Sequence, residues 1–475
     1  MDEAEAAPRR DEFRVAVICA VGPEGRAVEK HFTKSWTVEE IGKDADDDNA
    51  YSLGCIGNTL VVLVWMGEYG KTAAATAAKD LRYSFKHIRY AFVVGICGGV
   101  PTVHEGKEIL LGDVIISTGL QEYDRGKQYQ DAYCPAGETT KTQKHMRAFL
   151  VKMGSSDDSK EELQTACADH LQRLLDKNDA YAAEARYPGW QEDLLYQPTY
   201  VHKHRDATEC HFCANSTEQC SEARDKACPE LQCGKSPEHF VLRRRLQDQS
   251  TPTCPSIHFG SVGSGDTVMK SGKHRDEIAA KGKVIAFEME GAAVCSAFKS
   301  TLVSTEVIKG VCDYADSHKS KKWQKHAAAT AAACTRAFLD KMRQEGYLVF
   351  SRPRRGSSSS FPTISTVSSS ARSISSSFSE LSLQSPVSSP SSMEHFRTSL
   401  RHQSIYSPPL AKVEKACKDV VVSVQIHSSK PGRTLVSWSY LQLLNGLLST
   451  RVKRAIFKAF LLLLLGTISI RAILP

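Results

Sequence analysis

Residues 286–316 read AFEMEGAAVCSAFKSTLVSTEVIKGVCDYAD, and the fold is decided in this stretch. Val284–Phe287 is a short apolar run that reads as a buried strand. Glu288-Met289-Glu290 ends it, and the small and apolar residues GAAVCSAF follow, suited to a helix packed on a sheet; the helix is expected over 288–300. A second apolar run, Val307–Val311, ends in Cys312-Asp313. Glu290 and Asp313 are therefore each expected just beyond a strand, on the rim where α/β sheets bind ligands. One acid after a strand is ordinarily a helix cap. Two such acids on one rim suggest a site.

Working outward, Arg14–Val21 (RVAVICAV) is strand-like, Gly22-Pro23-Glu24 breaks it, and a short helix is expected over 25–32. Tyr51–Gly57 and Thr59–Trp65 read as a hairpin turning at Gly57-Asn58. An Ala-rich helix over 72–85 precedes a strand over 91–96, which runs into Cys97-Gly98-Gly99. Gly112–Ser117 is a further strand. Helices at 146–153 and 161–175 and a polar, Cys-rich segment interrupt the pattern, and Ile257–Gly265 resumes it. The remaining helices are expected over 272–281 and 323–344. Strands alternating with helices imply an α/β fold, a three-layer α/β/α sandwich around a central mixed sheet. Gly70-Lys71-Thr72 imitates the end of a phosphate-binding loop, but Trp65 stands where that motif needs a glycine.

The chain has 475 residues and a formal net charge of +7. Much of the positive charge falls in C-terminal patches such as 352–355 and 451–454, so a nucleic-acid partner is not expected. The N-terminus, MDEAEAAPRRDE, has no apolar core and does not read as a secretory signal. Fifteen cysteines without such a signal imply a reducing, cytoplasmic setting. The domain layout expected is a charged leader over 1–12, one large domain over 13–348 with a Cys-rich insert at about 200–235, a disordered Ser-rich linker over 349–410 and a tail over 411–475. Residues 459–470 (AFLLLLLGTISI) are strongly apolar but shorter than the ~20 residues that span a bilayer; a membrane anchor, a partner-binding helix and a non-native tail all remain open.

FEMEGAA together with GVCDYADSHK resembles the nucleoside phosphorylase/nucleosidase superfamily, and more narrowly its fungal branch, often found as the first domain of NACHT, ankyrin or TPR signalling proteins. The resemblance spans roughly 13–348. It implies cleavage of the N-glycosidic bond of a purine nucleoside or nucleotide, no cofactor required for catalysis, and assembly as a homo-oligomer. By the same resemblance, Asp313 serves the purine N7, and Glu290 grips the ribose hydroxyls. Met289 packs on the sugar, and Glu288 supports. Ser264, Val268 and Met269 belong to the loop that reads the base, although apolar side chains carry no chemical signal and core packing fits Val268 and Met269 as well. Asp124, in a Tyr-Asp-Arg-Gly-Lys stretch, faces the sugar or the 5′ end, and Arg125 and Lys127 would meet a 5′-phosphate if the substrate were a nucleotide; a solvated turn is the simpler account. Gly98 completes the substrate-binding set.

Related phosphorylases hold phosphate with an Arg and a Ser/Thr around the Gly-rich turn. Here Val93 and Ile96 occupy those places in VVGICGG and offer no charge-assisted donor. Glu24 falls where related nucleosidases carry the glutamate that activates water. The residues thus favour hydrolysis, with Arg26 as a remaining source of a phosphate contact. The alternatives are phosphorolysis on the same scaffold and a non-catalytic ligand-sensing domain of a truncated signalling protein. Lys309 stands where relatives usually have Arg, which keeps charge but loses the bidentate fork.

Cys210, Cys213, Cys220, Cys228 and Cys233 lie close together, with His202, His204 and His211 nearby. Cys210-x-x-Cys213 has zinc-ligand spacing, but the other spacings are irregular, so loose thiols and a structural zinc, closed and distant from catalysis, both stay open.

Overall fold

The computed structural model describes residues 6–348, except 104–105, 132, 136–138, 178, 207, 235 and 248–253. The Ser-rich linker and the apolar tail segment therefore lie outside the described residues. Among the described residues no helix is long and apolar enough to cross a membrane.

Among the described residues the strands in chain order are β1 Val15–Cys19, β2 Phe32–Trp36, β3 Ala50–Ile56, β4 Thr59–Trp65, β5 Tyr90–Gly99, β6 Val114–Glu122, β7 Gly126–Gln128, β8 Tyr133–Pro135, β9 Thr139–Thr140, β10 Ile257–Ser264, β11 Val284–Glu288 and β12 Ser304–Asp313. The helices are α1 Gly22–Glu29, α2 Val38–Ile41, α3 Lys71–Ser84, α4 Lys144–Ser155, α5 Asp157–Leu175, α6 Ala180–Glu184, α7 His211–Asn215, α8 Arg244–Gln247, α9 Gly272–Gly282, α10 Gly291–Phe298 and α11 Gln324–Gln344. The main sheet runs β11-β10-β6-β12-β5-β1-β4-β3-β2, with β9 on β6. β1 pairs in parallel with β4 and β5, and β12 pairs in parallel with β5. β12–β6 and β3–β4 are antiparallel, so the sheet is mixed, as expected.

The central strands are buried on both faces. On β1, Val15, Val17 and Cys19 join one core with residues of α1, α4, α5 and α11. Ala16 and Ile18 join the other, with residues of α3 and α10. That two-sided burial is why these strands read as unbroken apolar runs.

Some boundaries differ from expectation. α1 starts at Gly22, because Pro23 lies in the first turn, where its missing N–H is no loss. α10 starts at Gly291, not Glu288, and Asp313 is the last residue of β12 instead of lying beyond it. β2 escaped the sequence reading because its central residues are exposed and carry no buried-strand pattern.

Two features position the site. The sheet curls so that the end of β11 meets the end of β5, pairing Ala286 with Gly99 and Phe287 with Gly98. On β12, Lys309 sits opposite Gly95, and an irregularity between Val311 and Asp313 sets Asp313 opposite Gly98. Such a bulge re-aims the side chain that follows it.

Candidate active site

Glu24 lies in the first turn of α1 and is 2% exposed. Its Oε2 accepts from the Ala20 N–H at 2.8 Å and the Val21 N–H at 3.1 Å. Its Oε1 accepts from the Ile96 N–H at 2.8 Å. The carboxylate is thus fastened between the end of β1 and the turn of β5. Gly95 makes this possible: a Cβ there would stand 1.9 Å from Glu24 Oε1. Burial raises the Glu24 pKa, Lys309 pulls it back, and Glu290 adds to the rise.

The acids after β11 divide their work. Glu288 Oε2 accepts from the Glu290 N–H at 3.0 Å and the Gly291 N–H at 2.8 Å, capping α10. Ser264 Oγ accepts from the Ala292 N–H at 3.1 Å, one residue further on. Glu290 is the N-cap residue, yet its side chain makes no capping bond. Its Oε1 instead accepts from the Gly70 N–H at 3.2 Å, and its Oε2 pairs with Lys309 Nζ at 3.0 Å. Burial raises the Glu288 pKa despite Lys309. Met289, between the two acids, is half-buried.

Lys309 gathers the acids. Its Nζ is 3.0 Å from Glu290 and 3.9 Å from Glu24. Burial works against the ammonium, but Glu290, Glu24 and Glu288 outweigh it and hold its pKa above the ordinary lysine value. The lost guanidinium fork therefore does not leave Glu290 without a cation. The floor is correspondingly less apolar than Val93 and Ile96 alone imply. Arg26 turns away: its guanidinium lies 3.7 Å from Glu184 and over the Tyr181 ring.

Asp313 is buried at the end of β12. Its Oδ1 accepts from the Ala315 N–H at 2.8 Å, and Lys319 Nζ lies 3.1 Å from its Oδ2. Gly98 leaves room for this turn, since a Cβ on it would stand 3.0 Å from Asp313 Oδ1. Gly95 and Gly98, three residues apart on β5, thus back Glu24 and Asp313, a step of about 10 Å along a strand. The structure brings Glu24, Glu288, Glu290 and Asp313 to the ends of neighbouring strands.

Asp124 belongs to a polar bridge beside them. Its Oδ1 pairs with Lys71 Nζ at 2.8 Å, and its Oδ2 accepts from the Asp266 N–H at 2.7 Å. Asp266 Oδ1 accepts from the Lys71 N–H at 2.7 Å. Gly70-Lys71, the imitation phosphate loop, thus braces carboxylates. In the loop after β10, Val268 is exposed, whereas Met269 is buried with Tyr123 and Phe287. Arg125 is exposed and 3.4 Å from Glu122. A cavity of about 430 Å³ is lined by residues including Val100, Pro101, Leu195 and Ala279, and none of the four acids lines it.

Sequence reading missed Gly70, Lys71, Gly95 and Lys319. Lys319 lies inside the quoted DYADSHK motif, and Gly70-Lys71 stood out only as a failed phosphate loop.

Cys210 and Cys213 come together with Cys220, their sulfurs within 4.8 Å of one another. A second group contains Cys228, Cys233, His202 and His318. His318 lies in the motif that begins with Asp313, so this second group links the Cys-rich segment to the loop after β12.

No family model matches the chain. A nucleotide-binding leucine-rich repeat (NLR)-like protein of Hyaloscypha variabilis is 30% identical over 340 residues, covering 69% of this chain. The chain spans 29% of the length of that relative. Among solved structures, a 5′-methylthioadenosine/S-adenosylhomocysteine nucleosidase of Helicobacter pylori aligns with a TM-score of 0.41 at 13% identity, over 70% of this chain and 99% of that one. The corresponding enzyme of Neisseria meningitidis gives 0.39 at 16%, over 69% and 99%. Futalosine hydrolase of Helicobacter pylori gives 0.40 at 14%, over 70% and 98%.

Proposed function

We propose that the chain cleaves the N-glycosidic bond of purine nucleosides by hydrolysis. The observation that carries this reading is the meeting of Glu24 and Glu290 at the buried ammonium of Lys309, on the strand that ends in Asp313.

Breaking this bond leaves positive charge on the sugar and negative charge on the departing purine. Glu290, paired with Lys309, binds the ribose hydroxyls and offsets the sugar's charge. Asp313 supplies a proton or a hydrogen bond to N7 as the purine departs. Lys319 sets the position of that carboxyl. Glu24 takes the proton of the attacking water, and its raised pKa makes it a better base than a solvated glutamate.

The charge balance disfavours phosphorolysis. Three buried carboxylates, Glu24, Glu288 and Glu290, surround one ammonium. A phosphate dianion entering there meets net negative charge and, at Val93 and Ile96, no side-chain donor.

A ligand-sensing domain is a second reading, favoured by the likeness to an NLR-like protein. It predicts binding without base release. Adenosine, inosine and adenine nucleotides incubated with the chain, with freed base read by chromatography, separate the two. Base release lost in Asp313→Asn supports the enzyme; saturable binding without release from any of these substrates overturns it.

A further inference from the structure

We infer that His202, Cys228, Cys233 and His318 form a zinc site that fastens the Cys-rich segment to the loop carrying Asp313. The four ligand atoms lie within 4.8 Å of one another. The two Nδ1 atoms are 3.3 Å apart. Cys228 Sγ is 3.6 Å from His202 Nδ1 and 3.5 Å from His318 Nδ1. Cys233 Sγ is 3.4 Å from His202 Nδ1. A regular tetrahedron with zinc–sulfur bonds of about 2.3 Å and zinc–nitrogen bonds of about 2.0–2.1 Å has nitrogen–nitrogen edges of about 3.3 Å and nitrogen–sulfur edges of about 3.6 Å. The observed edges follow that figure closely.

The outer ring nitrogens point the same way. His202 Nε2 lies 2.9 Å from the Lys226 carbonyl oxygen, and His318 Nε2 lies 2.9 Å from that of Tyr200. A carbonyl only accepts, so each Nε2 carries a proton, and in the neutral imidazole each Nδ1 then presents a lone pair. Two lone pairs facing each other at 3.3 Å repel unless a cation lies between them. One proton bridges a single pair; a zinc ion satisfies two imidazoles and two thiolates together. Backbone carbonyls fixing the outer nitrogens are the usual support of metal-bound histidines. The site is also shielded: His202 and Cys233 are buried, and the Tyr196 ring stacks on His318 at 3.9 Å between centroids.

The ligands join two distant parts of the chain. Three come from the segment between α6 and α8, and His318 comes from the loop after β12. His318 is followed by Lys319, whose ammonium sets the Asp313 carboxylate. The ion would hold that loop in place without touching a substrate. Cys228 and Cys233 have irregular spacing and His318 is far away in sequence, so the set is not visible as a motif.

Metal analysis of the full chain, expressed with zinc and purified without chelator, tests the inference whether or not nucleosides are cleaved. The expected result is bound zinc, with one equivalent less in both His318→Ala and Cys233→Ser. If those variants fail to fold, the unaltered chain still decides. Its Cys228 and Cys233 resist alkylation, become reactive when a chelator removes the metal, and regain protection with zinc. Cobalt(II) in zinc's place gives thiolate charge-transfer and tetrahedral d–d bands. Less than a tenth of an equivalent of zinc, a Cys228–Cys233 disulfide, or a full complement of zinc in folded His318→Ala overturns the inference.

Discussion

Glu24 is held from several directions by backbone N–H groups, and every donor depends on a close approach of chain to chain. Gly95 is where that approach is tightest. Gly95→Ala must displace the Glu24 carboxylate, leaving the Ala20 and Ile96 N–H groups without their acceptor. A cost on the order of 1–3 kcal/mol in stability is expected for such orphaned donors. If Glu24 serves as the general base, base release falls by roughly 100-fold or more, comparable with Glu24→Gln. Thermal unfolding and initial rates measured on both variants check this. A Gly95→Ala chain as active as the unaltered one would remove Glu24 from the chemistry. Glu24 was legible in the sequence through its resemblance and its distance from β1. Gly95 was not, because a glycine in an apolar strand gives no sign of the side chain that will lie against it.

At the scale of elements, β12 carries two buried charged side chains with opposite fates. Lys309 finds carboxylates. Glu306 is fully buried and among the described residues finds hydroxyls instead of a cation: Thr142 Oγ1 donates to it at 3.0 Å and Ser304 Oγ at 3.2 Å. Burial lifts its pKa from 4.5 to about 8, against the pull of both hydroxyls. Between those values the folded chain keeps a proton that the unfolded chain has shed. Stability therefore falls as pH rises through that window, and it is fully retained below it. Glu306→Gln should flatten this slope and leave the chain more stable near pH 8, by on the order of a few kcal/mol. Denaturant midpoints taken from pH 5 to 8 give the answer; parallel slopes for the two chains would contradict it. The strands themselves were readable because burial on both faces writes long apolar runs. Element ends were less readable. Pro23 looked like a break and is a helix start, and Glu288 looked helical because the small residues after it are. Edge strand β2 has apolar residues only at its two ends, Phe32 and Trp36, too few to write a strand pattern.

For the whole molecule, the curl that joins β11 to β5 converts acids far apart in sequence into one cluster. The sequence supplied the acids and their separate strand ends. It did not supply the curl, the bulge before Asp313 or the brace from Gly70 and Lys71, all of which arise from long-range pairing. The cluster's charge is the property on which the proposed reaction turns: a site with more carboxylates than cations welcomes a cationic sugar and water, and excludes a phosphate dianion. The most direct test is the fate of the sugar in labelled water, with and without inorganic phosphate. The chain should release free ribose carrying oxygen from the water at C1, at a rate that phosphate does not raise. Ribose 1-phosphate as the product, with no base released when phosphate is withheld, would contradict it.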